Sequence, residues 1–452
     1  MQSPFSAAIA DKPLRPFQWV VMGAALIVLV IEGIDLQSLP LLSPEILKEW
    51  GLDREEFGLA LTAALAGMAI GSFFGGWLGD RWGRLKALYL ATMIFGASTI
   101  AAAYTDDVWT MSAVRALGGL GFGAGYPNAL ALVNDWVPAR LRTYVIATLS
   151  IGIPLGTTVA AYVVPPLLPD YGWRGIFQIF GAGSIVIGTA LLLVLRDSPS
   201  YLLARGRREA AQKSAARVID PAIELLPEPP TAVEEASGTQ AIGVFHPTNK
   251  WLNIGIGLSF AACTTLIYGV SSWAPIFLTS SGFTTGQASS AMGTFGILSM
   301  AGAIAAGWLV RRFGSRAVIL GCATLTFASL VALGWMIDAM PAAPSWEQRQ
   351  AAALLVGVIG GLVSMNIASF YAVMTVGYPQ SCRAAAIGFH LTVARFGVIT
   401  MVYFGGYLMN LGGGTFWFYF GTMAAISLLM FAAAFLVDRH IEPLRRVPAA
   451  AA

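Results

Sequence analysis

Apolar residues along this 452-residue chain gather into twelve runs separated by short polar breaks. Each run is about twenty residues long, enough to cross a hydrocarbon core of roughly 30 Å as a helix. The predicted spans are 17–41, 56–79, 86–105, 108–136, 144–167, 174–195, 251–279, 287–310, 316–337, 350–376, 384–409 and 414–437. The first is too long for a signal peptide, carries Glu32 and Asp35, and has no small-residue cleavage site after a short apolar core. It is expected to stay in the mature protein.

Composition agrees with the pattern. Hydrophobic residues make up 56% of the chain and charged residues 11%, far too apolar for a soluble protein of this size. Of the 27 Lys and Arg residues, Lys48, Arg54, Arg174 and Arg349 fall in one set of loops and Arg115 and Arg395 inside spans. The others lie in loops on the side of the two termini, and basic loops are retained in the cytoplasm. The expectation is a multi-pass inner-membrane protein of a bacterium with both termini cytoplasmic. Loop asymmetry accounts for the net charge of +3 with no nucleic-acid partner. Cys263, Cys322 and Cys382 show neither metal-ligand spacing nor a disulfide pattern and are read as packing residues.

The chain also repeats itself. Gly76-Trp77-Leu78-Gly79-Asp80-Arg81-Trp82-Gly83-Arg84 after the second span returns as Gly307-Trp308-Leu309-Val310-Arg311-Arg312-Phe313-Gly314-Ser315 after the eighth. Pro138 and Arg142 opening the fifth span match Pro379 and Arg383 before the eleventh. Both pairs link span n to span n+6, which predicts two pseudo-symmetric six-helix bundles. The expected organisation is a tail at 1–16, bundles at 17–195 and 251–437, a cytoplasmic linker at 196–250 and a tail at 438–452. The linker contains Arg205-Gly206-Arg207-Arg208, Pro227-Glu228-Pro229-Pro230 and Glu234-Glu235. It reads as one or two short amphipathic helices with a Pro-rich flexible part.

Ionisable residues inside a bilayer are costly and tend to mark function. Glu32 and Asp35 lie one turn apart on nearly the same helix face. Two carboxylates in a poorly hydrated cavity resist joint ionisation, which makes them candidate proton carriers, Asp35 ahead of Glu32. The alternative for Asp35 is a structural ion pair with a basic residue of the fourth span. Arg115 should meet Asp35 at similar depth. Arg395 lies near the midplane and has no acidic partner in any C-terminal span. Its planar fork suits a carboxylate arriving as a ligand, the alternative being an arginine bonded to helix carbonyls.

His390 should point about 140° away from Arg395, towards a helix interface more than into a shared site, though it stays a candidate. Phe122, Tyr126, Tyr268, Ser272, Asn366, Phe370 and Tyr371 could complete a cavity for a planar acid. The run Gly118, Gly119, Gly121, Gly123 and Gly125 reads as close helix contact, since a nucleotide loop needs a preceding strand and a following Lys-Ser/Thr. No Ser-His-Asp, metal-ligand or nucleotide-binding constellation is visible, so no enzyme chemistry and no cofactor is expected.

Gly76 to Lys86, with Gly79, Asp80, Arg81, Gly83 and Arg84 in place, resembles the loop 2–3 signature of the major facilitator superfamily. Within it the chain resembles the aromatic acid:proton symporters. The residues that carry this are Glu32-Gly33-Ile34-Asp35, Arg115 before Gly125-Tyr126-Pro127-Asn128, Gly172-Trp173-Arg174, and Asp197-Ser198-Pro199-Ser200-Tyr201-Leu202. Family members usually have Asp where Glu32 stands, and Glu and Arg where Asp197 and Ser200 stand.

The resemblance implies an all-α major facilitator fold that imports a small, aromatic monocarboxylate with protons by alternating access. Arg395 and Arg115 would receive the carboxylate, and Asp35 and Glu32 the protons. Asp80, Arg81, Gly83, Arg84 and Arg142 would form a conformational latch, lopsided because Arg311 replaces Asp80 in the second copy. Expected partners are the substrate, protons and lipid, with the protein a monomer. Rival readings are a proton-antiport exporter of acids or drugs and a membrane sensor that binds an acid without moving it.

Overall fold

The structure, a computed structural model of the chain, describes residues 2–227, 243–379 and 382–443. Glu234 and Glu235 of the linker lie outside the described residues. The chain forms two compact units, one of Met1–Leu39 with Leu59–Ala232, the other of Pro40–Gly58 with Val233–Ala452.

The first unit contains α1 (Phe5–Ile9), most of α2 (Pro16–Trp50) and α3 (Arg54–Trp82), then α4 (Arg84–Ala102), α5 (Val108–Trp136), α6 (Arg142–Leu149) and α7 (Gly152–Val194). Two short helices follow, α8 (Pro199–Ala204) and α9 (Arg208–Ala215). The second holds α10 (Lys250–Ser280), α11 (Thr285–Phe313), α12 (Ser315–Asp338), α13 (Trp346–Gly377), α14 (Arg383–Asn410) and α15 (Trp417–Ala434). Among the described residues, ten helices are long and apolar enough to cross a membrane. That set omits α5, whose hydropathy is diluted by glycines and Arg115, and includes α7 as a single helix.

Helix α7 runs 43 residues, about twice what a bilayer crossing needs. It is two spans, broken at Gly172 with φ 60° and ψ 177°, a conformation that essentially only glycine adopts. With α5 counted and α7 divided, all twelve predicted runs have their helix.

Local departures from the predicted spans have local causes. The first helix continues past residue 41 to Trp50 with Pro40 and Pro44 inside it. Pro44 has no N–H for the Pro40 carbonyl, and the Ser43 hydroxyl donates to that carbonyl instead at 2.6 Å. The N-terminal residues fold back on the first unit: Gln2–Pro4 forms a short parallel ladder with Glu224–Leu226, the one strand pair among the described residues. Phe5 is fully buried, edge-on to Trp136 at 5.6 Å. Buried Gln18 donates to the Trp136 carbonyl at 2.6 Å and so ties the start of α2 to the end of α5.

Small residues set the helix spacing. Gly119 and Gly123 of α5 lie against the backbone of α3, Gly118 and Gly121 against α4, and Gly125 beside Glu32 of α2. A Cβ at Gly119 would collide with the Ala64 carbonyl and the Met68 amide. In the second unit Gly302 of α11 abuts the Gly361 backbone of α13 in the same way. Trp273 on α10 donates to the Val402 carbonyl of α14 at 3.0 Å, and Tyr419 on α15 to the Gly269 carbonyl at 2.9 Å.

Candidate functional site

Helix α5 places Arg115 in the interior of the first unit, and α2 brings Asp35 to it, each side chain 1% exposed. Arg115 Nη1 donates to Asp35 Oδ2 at 3.2 Å, while Nη2 donates to the Asp35 backbone carbonyl at 3.1 Å. The guanidinium therefore forks over one residue. Thr99 of α4 donates its hydroxyl to Asp35 Oδ1 at 2.5 Å, so both carboxylate oxygens are held. The Phe177 ring of α7 covers the cation, its centroid 5.8 Å from Arg115 Cζ. Four helices thus converge on one charge pair.

Glu32 is also fully buried but reaches another level. Its Oε2 lies 3.3 Å from where a Gly125 Cβ would stand, ten residues or about 15 Å along α5 from Arg115. Although one turn apart on α2, the two carboxylates diverge along α5. Phe122, between those levels, is 1% exposed and stacks on Phe95 of α4 at 4.8 Å, so its ring belongs to the α4–α5 contact. Tyr126 is half-buried and packs on the cluster around Trp136.

In the second unit Arg395 lies twelve residues into α14, about 18 Å from its start. It is half-buried, and among the described residues it forms no ion pair. Tyr268 and Ser272 lie on neighbouring α10, the former half-buried and the latter buried. On α13, Asn366 is fully buried with its amide nitrogen 3.8 Å from the Met430 sulfur, while the Tyr371 ring meets Phe260 of α10 at 5.4 Å. Phe370 is fully buried beside the same Phe260. His390 is fully buried and Nε2 shares a 2.8 Å hydrogen bond with the Tyr378 hydroxyl, which donates to Asn253 Oδ1 at 2.6 Å.

The α3–α4 loop forms a second charged centre in the first unit. Arg84 pairs with Asp135 of α5 at 2.5 Å and, more loosely, with Asp80 at 3.7 Å. Asp80 is largely exposed and Arg142 is exposed. Asp197 accepts from the Leu85 amide at 3.1 Å. Burial pushes the Asp197 carboxyl above its ordinary value, against the pull of that hydrogen bond and of Lys86 and Arg207. Gly83, at φ 102°, faces the same carboxylate. Tyr201 donates to the Arg81 carbonyl at 3.2 Å and Arg205 to the Asp80 carbonyl at 2.8 Å, so α8 clasps the loop.

Three residues of these centres escaped sequence reasoning. Asp135 falls in the last turn of its span, where an acid looks like an end-of-helix residue. Thr99 is an ordinary small polar residue in an apolar run, and Asp197 figured only as part of a motif. For Asp135 alone there was a signal, as an acid inside a predicted span.

An ion pair buried among four helices, each long enough to cross a membrane, is the construction of a multi-pass membrane protein. The chain belongs to the Major Facilitator Superfamily, whose family model matches residues 21–381 and 286–451. Among curated proteins it is 28% identical to the 4-hydroxybenzoate transporter PcaK of Pseudomonas aeruginosa over 410 residues, covering 90% of this chain and 89% of that one. It is 26% identical to a gallate transporter of Pseudomonas putida, covering 98% and 96%. Among solved structures the fold matches the xylose transporter XylE from E. coli in a partially occluded inward open conformation. That match has a TM-score of 0.70 at 16% identity and covers 94% and 98% of the two chains.

Proposed function

We propose that this protein is a proton-coupled importer of aromatic monocarboxylates that works by alternating access in a bacterial inner membrane, with both termini cytoplasmic. The observation that carries the reading is the buried Asp35–Arg115 pair with Thr99 on the second carboxylate oxygen. A proton arriving on Asp35 neutralises the acid, weakens its hold on Arg115 and gives the pair two discrete arrangements that a substrate can bias. Arg395, without an acid of its own among the described residues, is the carboxylate receptor, and Arg115 becomes a second available cation once Asp35 is protonated. The names of the relatives, a 4-hydroxybenzoate and a gallate transporter, support an aromatic acid as cargo.

One proton carried with a monoanion is electroneutral. A second, on Glu32, would make uptake respond to membrane potential. The Arg84–Asp135–Asp197 centre, with Asp80, Arg81, Gly83 and Arg142, is assigned to the latch that resets the cycle.

The test is uptake into proteoliposomes of labelled 4-hydroxybenzoate, gallate, benzoate and an aliphatic acid, with and without an imposed pH gradient, acid outside. Aromatic acids should accumulate only with the gradient, and Asp35→Asn should abolish that dependence. Accumulation indifferent to the gradient would sink the symport reading.

A further inference from the structure

The α3–α4 loop, α8 and the turn after it border an open cavity of about 440 Å³ lined by Arg81, Trp82, Lys86, Tyr201, Arg205 and Arg207. Four of the six are cations and none is an acid. Asp197, whose carboxylate Lys86 and Arg207 attract, and exposed Asp80 border the cavity without lining it. Two of the cations are held in place: the Arg205 guanidinium lies 5.7 Å from the Tyr201 ring centroid while it donates to the Asp80 carbonyl, and Arg81 lies 5.3 Å from the Trp77 ring. The pairs that latch the loop, Arg84 with Asp135 and Asp80, leave Lys86, Arg205 and Arg207 without an ion pair among the described residues.

The end of α3 that carries Trp82 exposes large apolar side chains. Phe73, Phe74, Trp77 and Trp82, on the last turns of α3, are 78%, 56%, 57% and 54% exposed. Exposed tryptophans at the end of a membrane helix sit at headgroup level, and basic pockets at that level attract anionic lipid. The alternative source of the same chemistry is a soluble phosphate.

We infer that this cavity is a binding site for a phosphate-bearing anion, with its four cations around the phosphate and Trp82 and Trp77 beside the acyl chains when the anion is a lipid headgroup. Guanidinium forks suit the oxygens of a phosphodiester, and Tyr201 supplies a polar edge. On the orientation proposed above, the lipid comes from the cytoplasmic leaflet. The site is separate from Asp35 and Arg395 and does not depend on what is transported.

The experiment uses purified full-length protein in neutral detergent, read by native mass spectrometry and thermal melting. The probes are phosphatidylglycerol, phosphatidylcholine and inorganic phosphate. Phosphatidylglycerol should be retained and raise the melting temperature, at least tenfold more tightly than phosphatidylcholine and more weakly in high salt. The triple variant Lys86→Gln, Arg205→Gln, Arg207→Gln should lose at least tenfold in affinity. The triple variant Arg311→Gln, Arg312→Gln, Arg316→Gln, with equal loss of charge elsewhere, should stay within about twofold of the parent. The conservative triple Lys86→Arg, Arg205→Lys, Arg207→Lys should keep binding and so exclude misfolding. Inorganic phosphate binding with the same residue dependence while phosphatidylglycerol fails would uphold the phosphate site and assign it to a soluble anion. Equal losses in the two glutamine triples, or none in either, would overturn the proposal.

Discussion

In the first unit the chain turns from α3 into α4 at Gly83, φ 102°, and in the second from α11 into α12 at Gly314, φ 82°. Both turns are pinned by the segment that follows the sixth helix of their own repeat. After α7 that segment offers a carboxylate, Asp197, to the Leu85 amide. After α15 it offers backbone: the Ser315 amide donates to the Ile441 carbonyl at 2.9 Å, and the Ile441 amide donates to the Ser315 hydroxyl at 2.9 Å. The same division separates the two interior arginines. Arg115 has its counter-charge inside the unit, and Arg395 has none among the described residues. One repeat closes its loop and its interior arginine with carboxylates of its own, while the other closes its loop with neutral groups and leaves Arg395 without an ion pair among the described residues, the position in which we propose the substrate carboxylate binds.

The largest test of that contrast is to remove each arginine. Arg115→Ala leaves Asp35 buried without its cation and should cost about 3–5 kcal/mol of unfolding free energy in detergent. Arg395→Ala should stay within about 0.5 kcal/mol while losing substrate binding. Equal destabilisation of the two would erase the comparison.

Gly83→Ala forces a side chain into positive φ and against Asp197, a cost of roughly 1–3 kcal/mol, and should be worse than Gly314→Ala. Adding Asp197→Ala should recover part of the difference in melting temperature. Ser315→Ala removes one side of the neutral clasp and should cost about 1 kcal/mol with no dependence on salt.

A smaller effect concerns pH. Because burial raises the Asp197 carboxyl above its ordinary value of 3.8, its contribution to stability is present below that pH and lost as pH rises through the shifted value. Melting curves across pH 3 to 7 should therefore show the parent losing ground to Asp197→Asn as pH rises, and parallel curves would refute the direction. Smallest is Asp80→Asn. The pair it breaks is 3.7 Å long and largely exposed on the acid's side, so stability should change by no more than about 1 kcal/mol. A larger loss would show that the exposed acid, not Asp135, anchors Arg84.

Much of this was legible in the chain alone. The twelve spans, the n to n+6 repeat and the glycine run of α5 follow from hydropathy, pattern and residue size. So did the candidacy of Asp35 and Arg115, since a charge inside an apolar run announces itself. Less legible were partners that are chemically plain or that sit at helix ends, such as Thr99 and Asp135. The predicted N-terminal tail is another case, for nothing local to Phe5 says that Trp136 will receive it.

The sequence by itself determined which segments must be helical and buried in lipid, because a backbone without water can satisfy its polar groups only within a helix. It also determined which charges would be expensive there. Tertiary structure alone decided how those charges are met. Glu32 and Asp35 look equivalent one turn apart on α2, yet α5 presents Arg115 to one and Gly125 to the other. That choice depends on the crossing and rotation of separate helices, set by close contacts of glycines with helices far apart in the chain, such as Gly119 against Ala64, which no local pattern encodes.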